Sequence, residues 1–581
     1  MCVWAFDIEC EDWDRLVVGR AVSTDGDVVE LDTYESISSW YWTLSPEDLV
    51  LSHVGGRYDF LCLLAACGHR GDWRGTCAGA SLISLRARGH AECRDTYAIV
   101  PQSLAAWSGM KTDTGLTCDC GRDCGGYCAI RRDMPAPARR RLAEYCVQDC
   151  RALLSAWDAL LDYADLHDLP LCHGAGGTRR TVGSVSWALA KEYAGAAAYT
   201  WGRYDLEREA YYGGRCEVFR PYAARLERYD LNSAYPWALT LPVPIGEPSA
   251  LAGCDAASAW RDGAPGLYRA VWRSDNDWIP PLPRRGRGRL VWAAGDGVGW
   301  YARPELTAAI VAGADVTIEA ALVYDGEMPV YAELMRRLFD MRQAAGRRWG
   351  AKCWQRAWVK RIANTISGKL AQGTDSCSIR ITDAPEEGWR WLGGRAWAVV
   401  TEHIPSCARP AQAAYLTARV RARLLRALSA SDPAYCDTDS CYADSGRPDI
   451  VGDGLGEWQD EGPADNWIAL APKVYRYNTA TGAKVKAKGF SGLDSEGFGR
   501  LERGISWVVD RGVEGIRTAG PVFRRKHLVR ALRLTPGFVG FRAVQGDGRA
   551  TAPIVANGRI TWRLGRKDVD MERQIGYLLR A

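Results

Sequence analysis

Tyr435-Cys436-Asp437-Thr438-Asp439-Ser440 decides the reading of this chain. Residues 434–443 pattern as strand, tight turn and strand, with the Asp-Thr-Asp at the turn. Far upstream, Tyr229-Asp230-Leu231-Asn232-Ser233-Ala234-Tyr235-Pro236 ends an alternating stretch (225–231) on another aspartate, and Pro236 then stops regular pairing. One aspartate in a turn is usually turn chemistry. Three at strand ends, aimed by a rigid sheet, can share two divalent cations about 3.5–4 Å apart. Asp230 and Asp439 are the candidate metal ligands, and Asp437 is an accessory acid.

Between these acids, 329–341 and 351–372 have helical periodicity, separated by Gly346 and Gly350, and so predict an antiparallel helix pair. Arg348, Lys352, Arg356 and Lys360 recur every fourth residue and are followed by Asn364. Four residues advance a helix to within about 40° of a whole turn, so these bases predict one slowly winding stripe. Few acids accompany them to make a solvated, self-paired face. Facing a cleft, the stripe would hold a triphosphate through charge-assisted hydrogen bonds. Acids for metals and bases for phosphates are what phosphoryl transfer from a nucleotide requires.

A second acidic set begins at once: Met1-Cys2-Val3-Trp4-Ala5-Phe6-Asp7-Ile8-Glu9 reads as a strand without a signal peptide's basic region or cleavage site. Asp7 and Glu9 fall on one face of that strand. Asp59, in His53-Val54-Gly55-Gly56-Arg57-Tyr58-Asp59-Phe60, and Asp149, four residues after Tyr145 on a predicted helix (139–161), would complete a four-acid cage. Such a cage suits two-metal hydrolysis of a phosphodiester, with Tyr145 orienting the attacking water. The bland alternative is an acidic strand edge and an exposed helix face.

Bulk properties bound the rest. A chain of 581 residues exceeds one compact core. Hydrophobic and charged fractions of 47% and 25% suit a soluble globular protein, and no apolar run reaches the roughly 20 residues of a membrane span. The net charge of +4 says little about partners, although Arg284-Arg285-Gly286-Arg287-Gly288-Arg289 and Arg524-Arg525-Lys526 are local basic runs. Twenty cysteines without a leader predict reduced thiols and a cytoplasmic protein. Cys118, Cys120, Cys124 and Cys128 could bind zinc. Their spacing matches no common finger, and a loop of reduced thiols is the alternative.

Three motifs carry a resemblance. Asp-x-x-Ser-x-Tyr-Pro (230–236), Lys-x-x-x-Asn-x-x-x-Gly (360–368) and Tyr-x-Asp-Thr-Asp-Ser (435–440) resemble motifs A, B and C of family B DNA polymerases. Lys473-Val474-Tyr475 resembles the family's Lys-x-Tyr motif, which contacts the primer strand. Gly454-Leu455-Gly456-Glu457-Trp458 lies between, as in small phage members. Tyr211-Tyr212-Gly213-Gly214 resembles the Tyr-x-Gly-Gly signature that holds template. The acids at 7, 9, 59 and 149 resemble the Exo I, II and III motifs of a 3′–5′ exonuclease. Ser103-Leu104 resembles a motif that contacts single-stranded DNA and the terminal protein.

The resemblance is closest to the protein-primed branch found in bacteriophages and linear plasmids, and the gaps from Asp230 to Lys360 and from Gly368 to Asp437 leave room for its two insertions. It implies an α+β multidomain chain. An RNase H-like exonuclease domain (1–170) and a linker with a connecting helix (171–210) precede a right-hand polymerase. Palm and fingers (211–495) carry insertions at about 250–330 and about 373–430, and the thumb follows (496–581). By the same resemblance, Tyr235 packs under the incoming sugar, Arg348, Arg356 and Lys360 bind phosphates, and Asn364 supports the nucleotide. Tyr211, Gly213, Gly214, Lys473 and Tyr475 touch DNA. Two Mg2+ (or Mn2+) serve each active site. The expected partners are template and primer DNA, dNTPs and a terminal protein, acting on a monomer with no membrane. Two departures stand out: Val54 replaces the usual Asn of Exo II, and Ser367 replaces the tyrosine before Gly368. Two other readings stay open: a family B polymerase using ordinary nucleic-acid primers, and a catalytically idle DNA-binding replication factor, against which the intact acids argue.

Overall fold

The computed structural model describes the chain except at residues 12–14, 69, 79–80, 111, 117–128, 172–173, 176–178, 196–203, 287–289, 374–376, 383–389, 393–394, 402–403, 489, 491–492, 504–506, 514–525, 533–537, 557–558, 565–566 and 571–581. The candidate zinc cysteines Cys118, Cys120, Cys124 and Cys128 lie outside the described residues.

The N-terminal part is built on β1 (Val3–Glu11), β2 (Arg15–Ser23), β3 (Leu49–Ser52), β4 (Trp73–Ala78), β5 (Ser81–Ala87) and β6 (Glu92–Asp95). β1 pairs antiparallel with β2 and parallel with β3, which pairs parallel with β6. The parallel strand β3 is buried at all four positions, because both sheet faces are covered. Helix α1 (Ala136–Leu166) lies over β1 and β2. Its buried stripe Leu142, Tyr145, Cys146, Cys150, Leu153 and Trp157 recurs at three- and four-residue steps, which turns one face to the sheet.

The central sheet has seven antiparallel strands. They include β7 (Cys216–Val218) and β8 (Tyr222–Leu231), which leads into the short helix α2 (Ala234–Leu239). Helices α3 (Ala332–Trp349) and α4 (Trp354–Leu370) form the expected antiparallel pair. Here the structure corrects the sequence reading. Gly346 does not interrupt the first helix but lies inside it, where an added Cβ would come within 3.0 Å of Arg356 Cδ. The glycine admits a close helix approach, and the reversal falls at Gly350, with φ +91°.

β9 (Cys377–Thr382) begins the second expected insertion, 373–430, which proves to be two different things. β9 and the strand Arg395–Thr401 extend the N-terminal sheet, since β9 pairs with β4. Helix α5 (Pro410–Ser429), by contrast, is buried along most of its length and is a core helix behind the central sheet, not part of a peripheral insertion. The central sheet is completed by β10 (Pro433–Asp437), β11 (Ser440–Ala443), β12 (Trp458–Ala471) and β13 (Val474–Thr479). A third sheet holds Gly266–Ser274, Ala294–Ala302 and Asp315–Val323, and the C-terminal strands from Pro553–Ala556 onward join it.

Candidate active sites

β10 and β11 form a two-residue hairpin in which Asp437 pairs with Ser440. Thr438 occupies the first central position with φ +63°, where such a turn ordinarily wants glycine. The strained residue is fixed from outside: its N–H donates to the carbonyl of Arg215 at 2.6 Å. Gly214 makes room, because a Cβ there would lie 2.7 Å from the Thr438 side chain. The Tyr-Tyr-Gly-Gly segment is thus seated directly on the acidic turn.

On the other side, Ser440 lies opposite Asp230, and the Leu231 N–H donates to the Asp439 carbonyl at 2.7 Å. The sheet therefore brings Asp230, Asp437 and Asp439 together from positions two hundred residues apart. Burial and then the neighbouring Asp439 carboxylate push Asp230 up to about 7. Burial and then Asp437 push Asp439 up to about 6, against the pull of Lys360 and Lys473. Clustered acids that repel one another in a desolvated place are a cation site by their chemistry. Asp437 differs, because the Lys473 ammonium sits on its carboxylate.

The loop after Asp230 is pinned as well. Ser233 has φ +55°, and its hydroxyl accepts from Arg342 Nη1 at 2.7 Å. A cleft lined by Ser233, Pro236, Arg342, Lys360 and Asn364 separates this loop from α3 and α4. The predicted basic stripe is corrected here. Arg348 ends α3, with its guanidinium over the Trp349 ring, and Lys352 is exposed in the turn, so only Arg356, Lys360 and Asn364 share α4. Arg342, on the partner helix, takes the place near the acids that the fourfold spacing gave to Arg348. Tyr235 is half-buried close enough to Asp439 for that charge, after burial itself, to raise its hydroxyl to about 12.

Sequence reasoning also missed Arg421 and Glu305. Arg421 donates Nε and Nη2 to the two Glu305 oxygens at 2.6 and 2.7 Å, and Nη1 to the carbonyls of Tyr212 and Gly213 at 2.5 and 3.0 Å. Both side chains are buried. No local pattern marks the pair, since the partners lie on different elements. Lys473 lies beside the hairpin, with its ammonium on Asp437. Tyr475 instead packs among Tyr435, Tyr442, Trp467 and Tyr477, only 8% exposed, so its ring supports the hairpin from within.

In the N-terminal sheet, Asp7, Glu9, Asp59 and Asp149 converge. Burial first, then their mutual charge, holds Asp7 and Glu9 well above the usual carboxylate range. Burial also raises Asp59, to about 7, although its carboxylate accepts from Ser52. Asp149 accepts hydrogen bonds from Thr112 and Tyr145. Asp7 Oδ2 and Asp149 Oδ1 are buried without a hydrogen-bond partner among the described residues, which fits a cation as the missing neighbour. Among the described residues, Asp7, Glu9 and Cys146 bring one potential ligand atom each within 4.8 Å of one another; the sequence reading had not included the thiol.

Val54 sits at φ +67° and donates its N–H to Asp95 Oδ1 at 2.9 Å, while Gly56 N–H donates to Asp95 Oδ2 at 3.2 Å. Asp95, another residue missed from sequence, thereby shapes the loop that precedes Asp59. Ser103 caps a short helix (Leu104–Ser108) by accepting from Ala106 N–H, and its exposed position leaves it open to solvent.

The comparisons agree with this arrangement. Residues 135–393 match the family model described as DNA polymerase type B, organellar and viral. The DNA-directed DNA polymerase of Enterobacteria phage PRD1 is 25% identical over 483 residues, 79% of each chain. A probable DNA polymerase of Neurospora intermedia is 21% identical over 47% of this chain and 31% of its own length. Phi29 DNA polymerase complexed with primer-template DNA superposes with a TM-score of 0.69 at 16% identity, over 92% of this chain and 100% of that one. Sheet, acidic motifs and relatives together make this chain similar to DNA polymerases of type B, organellar and viral. Among the described residues, no helix is long and apolar enough to cross a membrane.

Proposed function

We propose that the chain extends a 3′-hydroxyl with dNTPs on a DNA template, corrects the product with a 3′–5′ exonuclease, and begins synthesis on a hydroxyl of a terminal protein, in the cytoplasm of a host cell. The observation that carries the polymerase reading is the convergence of Asp230, on β8, with Asp439, in the adjoining hairpin turn, beside the cleft of Arg342, Lys360 and Asn364. Divalent cations held by Asp230 and Asp439 would lower the charge barrier to attack on the α-phosphate and to departure of pyrophosphate. Arg342, Arg356 and Lys360 offer cationic hydrogen-bond donors to the triphosphate. Tyr235 lies under the position of the sugar, and Asn364 orients the nucleotide. Lys473 holds the Asp437 side chain in place through their ion pair. Tyr211, Gly213 and Gly214 run beside the hairpin, where a template strand passes.

In the second centre, Asp7, Glu9, Asp59 and Asp149 would hold the cations for hydrolysis, with Tyr145 placed to orient water. Ser103 lies exposed at the head of the helix that Leu104 begins, a position suited to a frayed strand. Contact with DNA through phosphates makes binding fall steeply with salt. The match along 79% of the phage PRD1 enzyme supports the viral branch, and protein priming is its expected mode of starting.

Primer extension by the wild type and by Asp439→Ala tests the polymerase; equal extension by both overturns it. Incubation with a candidate terminal protein, Mg2+ and labelled dNTPs, without an oligonucleotide, tests the priming mode. Label attached to protein supports it, and label appearing only when a nucleic-acid primer is supplied refutes it.

A further inference from the structure

Cys146 places a sulfur beside the oxygens of the N-terminal acidic centre. It follows Tyr145 on α1, is fully buried, and hydrogen-bonds to Asp7. One ligand atom from each of Asp7, Glu9 and Cys146 lies within 4.8 Å of the others. With metal–sulfur and metal–oxygen bonds of about 2.3 and 2.0–2.2 Å, a tetrahedral ion sets its donors about 3.5 Å apart, so side-chain shifts on the order of 1 Å close the set. The second pointer to a ligand is Asp7 Oδ2, which is buried with no hydrogen-bond partner among the described residues.

We propose that Asp7, Glu9 and Cys146 form a mixed oxygen–sulfur site that captures a thiophilic divalent cation, zinc or cadmium, and that this capture silences the exonuclease. Hard ions such as Mg2+ take oxygen ligands, whereas a thiolate selects soft or borderline ones. On capture the S–H bond breaks, its electron pair becomes the sulfur–metal bond, and the proton leaves to solvent. Nothing is oxidised or reduced. The silencing rests on the exonuclease reading above; the capture does not.

The test is a titration of the full chain with Cd2+, read by the ultraviolet charge-transfer absorption of cadmium–thiolate bonds. The background carries serine at Cys118, Cys120, Cys124 and Cys128, so that the other cysteine cluster is silent. One saturable band is expected, retained in Cys150→Ser and lost in Cys146→Ser, although serine preserves a hydrogen-bond donor to Asp7. Asp7→Asn, with the thiol intact, should weaken cadmium binding by about tenfold or more, as even groups one step from a metal do when lost. An unchanged band in Cys146→Ser, unchanged affinity in Asp7→Asn, or no band in the background protein overturns the proposal. Exonuclease assays in Mg2+ with added Cd2+ give the functional arm: the parent is inhibited and Cys146→Ser tolerates more cadmium, and equal sensitivity overturns the silencing. A parent chain that binds cadmium but cuts no DNA in Mg2+ would refute the exonuclease reading and leave the site standing.

Discussion

The Lys473 ammonium rests on the Asp437 carboxylate at the tip of the acidic hairpin, while Asp439, two residues on, makes no ion pair among the described residues. One acid is committed to the protein and the other is left for a cation. The Lys473 amine is held above its ordinary value: burial pulls it down, and Asp437, Cys216 and Asp439 together outweigh that pull. Lys473→Met removes the ion-pair partner of Asp437 beside Asp439, and is expected to cut nucleotide incorporation by about tenfold, equivalent to roughly 1.4 kcal/mol of barrier. Hydrolysis of single-stranded DNA should stay unchanged in the same preparation. Parallel primer-extension and exonuclease assays check this.

The raised carboxyls give the metal-free protein a signed pH dependence. Asp230 and Asp59 titrate near 7 and Asp439 near 6 when folded, against 3.8 for an ordinary aspartate. A folded state that holds protons more tightly than the unfolded one loses stability as pH rises between those values. With chelator present, the melting temperature should therefore fall from pH 4 to pH 7. Mg2+ should restore most at the upper end, where the acids are charged. Asp230→Asn, Asp439→Asn and Asp59→Asn should each flatten the slope, and a melting temperature independent of pH in chelator would contradict the assignment.

Arg421 and Glu305 are a buried pair whose loss is asymmetric. Arg421→Met strands a buried carboxylate and releases the carbonyls of Tyr212 and Gly213, at a cost of about 3–5 kcal/mol. Arg421→Met with Glu305→Leu should regain most of that stability, because no charge is left unpaired. It should still bind primer-template poorly, because the Tyr-Tyr-Gly-Gly segment remains unpinned. Chemical denaturation and DNA titration on the two variants separate these effects.

Val54 carries a β-branched side chain at φ +67°, a backbone region that costs an L residue about 1–2 kcal/mol. Asparagine tolerates this region better. Val54→Asn should stabilise the loop by about 1 kcal/mol, read as slower amide hydrogen exchange over residues 52–62. Faster exchange would show that the valine packs more favourably than its backbone suffers.

The sequence was most informative where chemistry is local. Asp437, Asp439 and Asp230 stood out because turn and strand patterns and the demands of two-metal catalysis coincide within six or eight residues. The basic stripe misled because a period of four was carried through the reversal at Gly350, where helical geometry ends. Arg342 was hidden for the converse reason: it reaches the cleft from the facing helix. Arg421 and Glu305 stand 116 residues apart and meet only through the packing of a core helix against an inserted one. Cys146 lay in plain view beside Tyr145, yet only the fold turns its sulfur toward Asp7. The segment 373–430 looked like one insertion because sequence spacing does not distinguish a ribbon added to a sheet from a helix buried behind another.

The pairing of β9 with β4 has a mechanical meaning. A ribbon that follows helix α4 is stitched edge to edge into the sheet that carries Asp7 and Glu9. The two acidic centres are therefore joined through hydrogen-bonded backbone. On the proposed function, a mispaired terminus would pass between two centres bridged by this shared sheet.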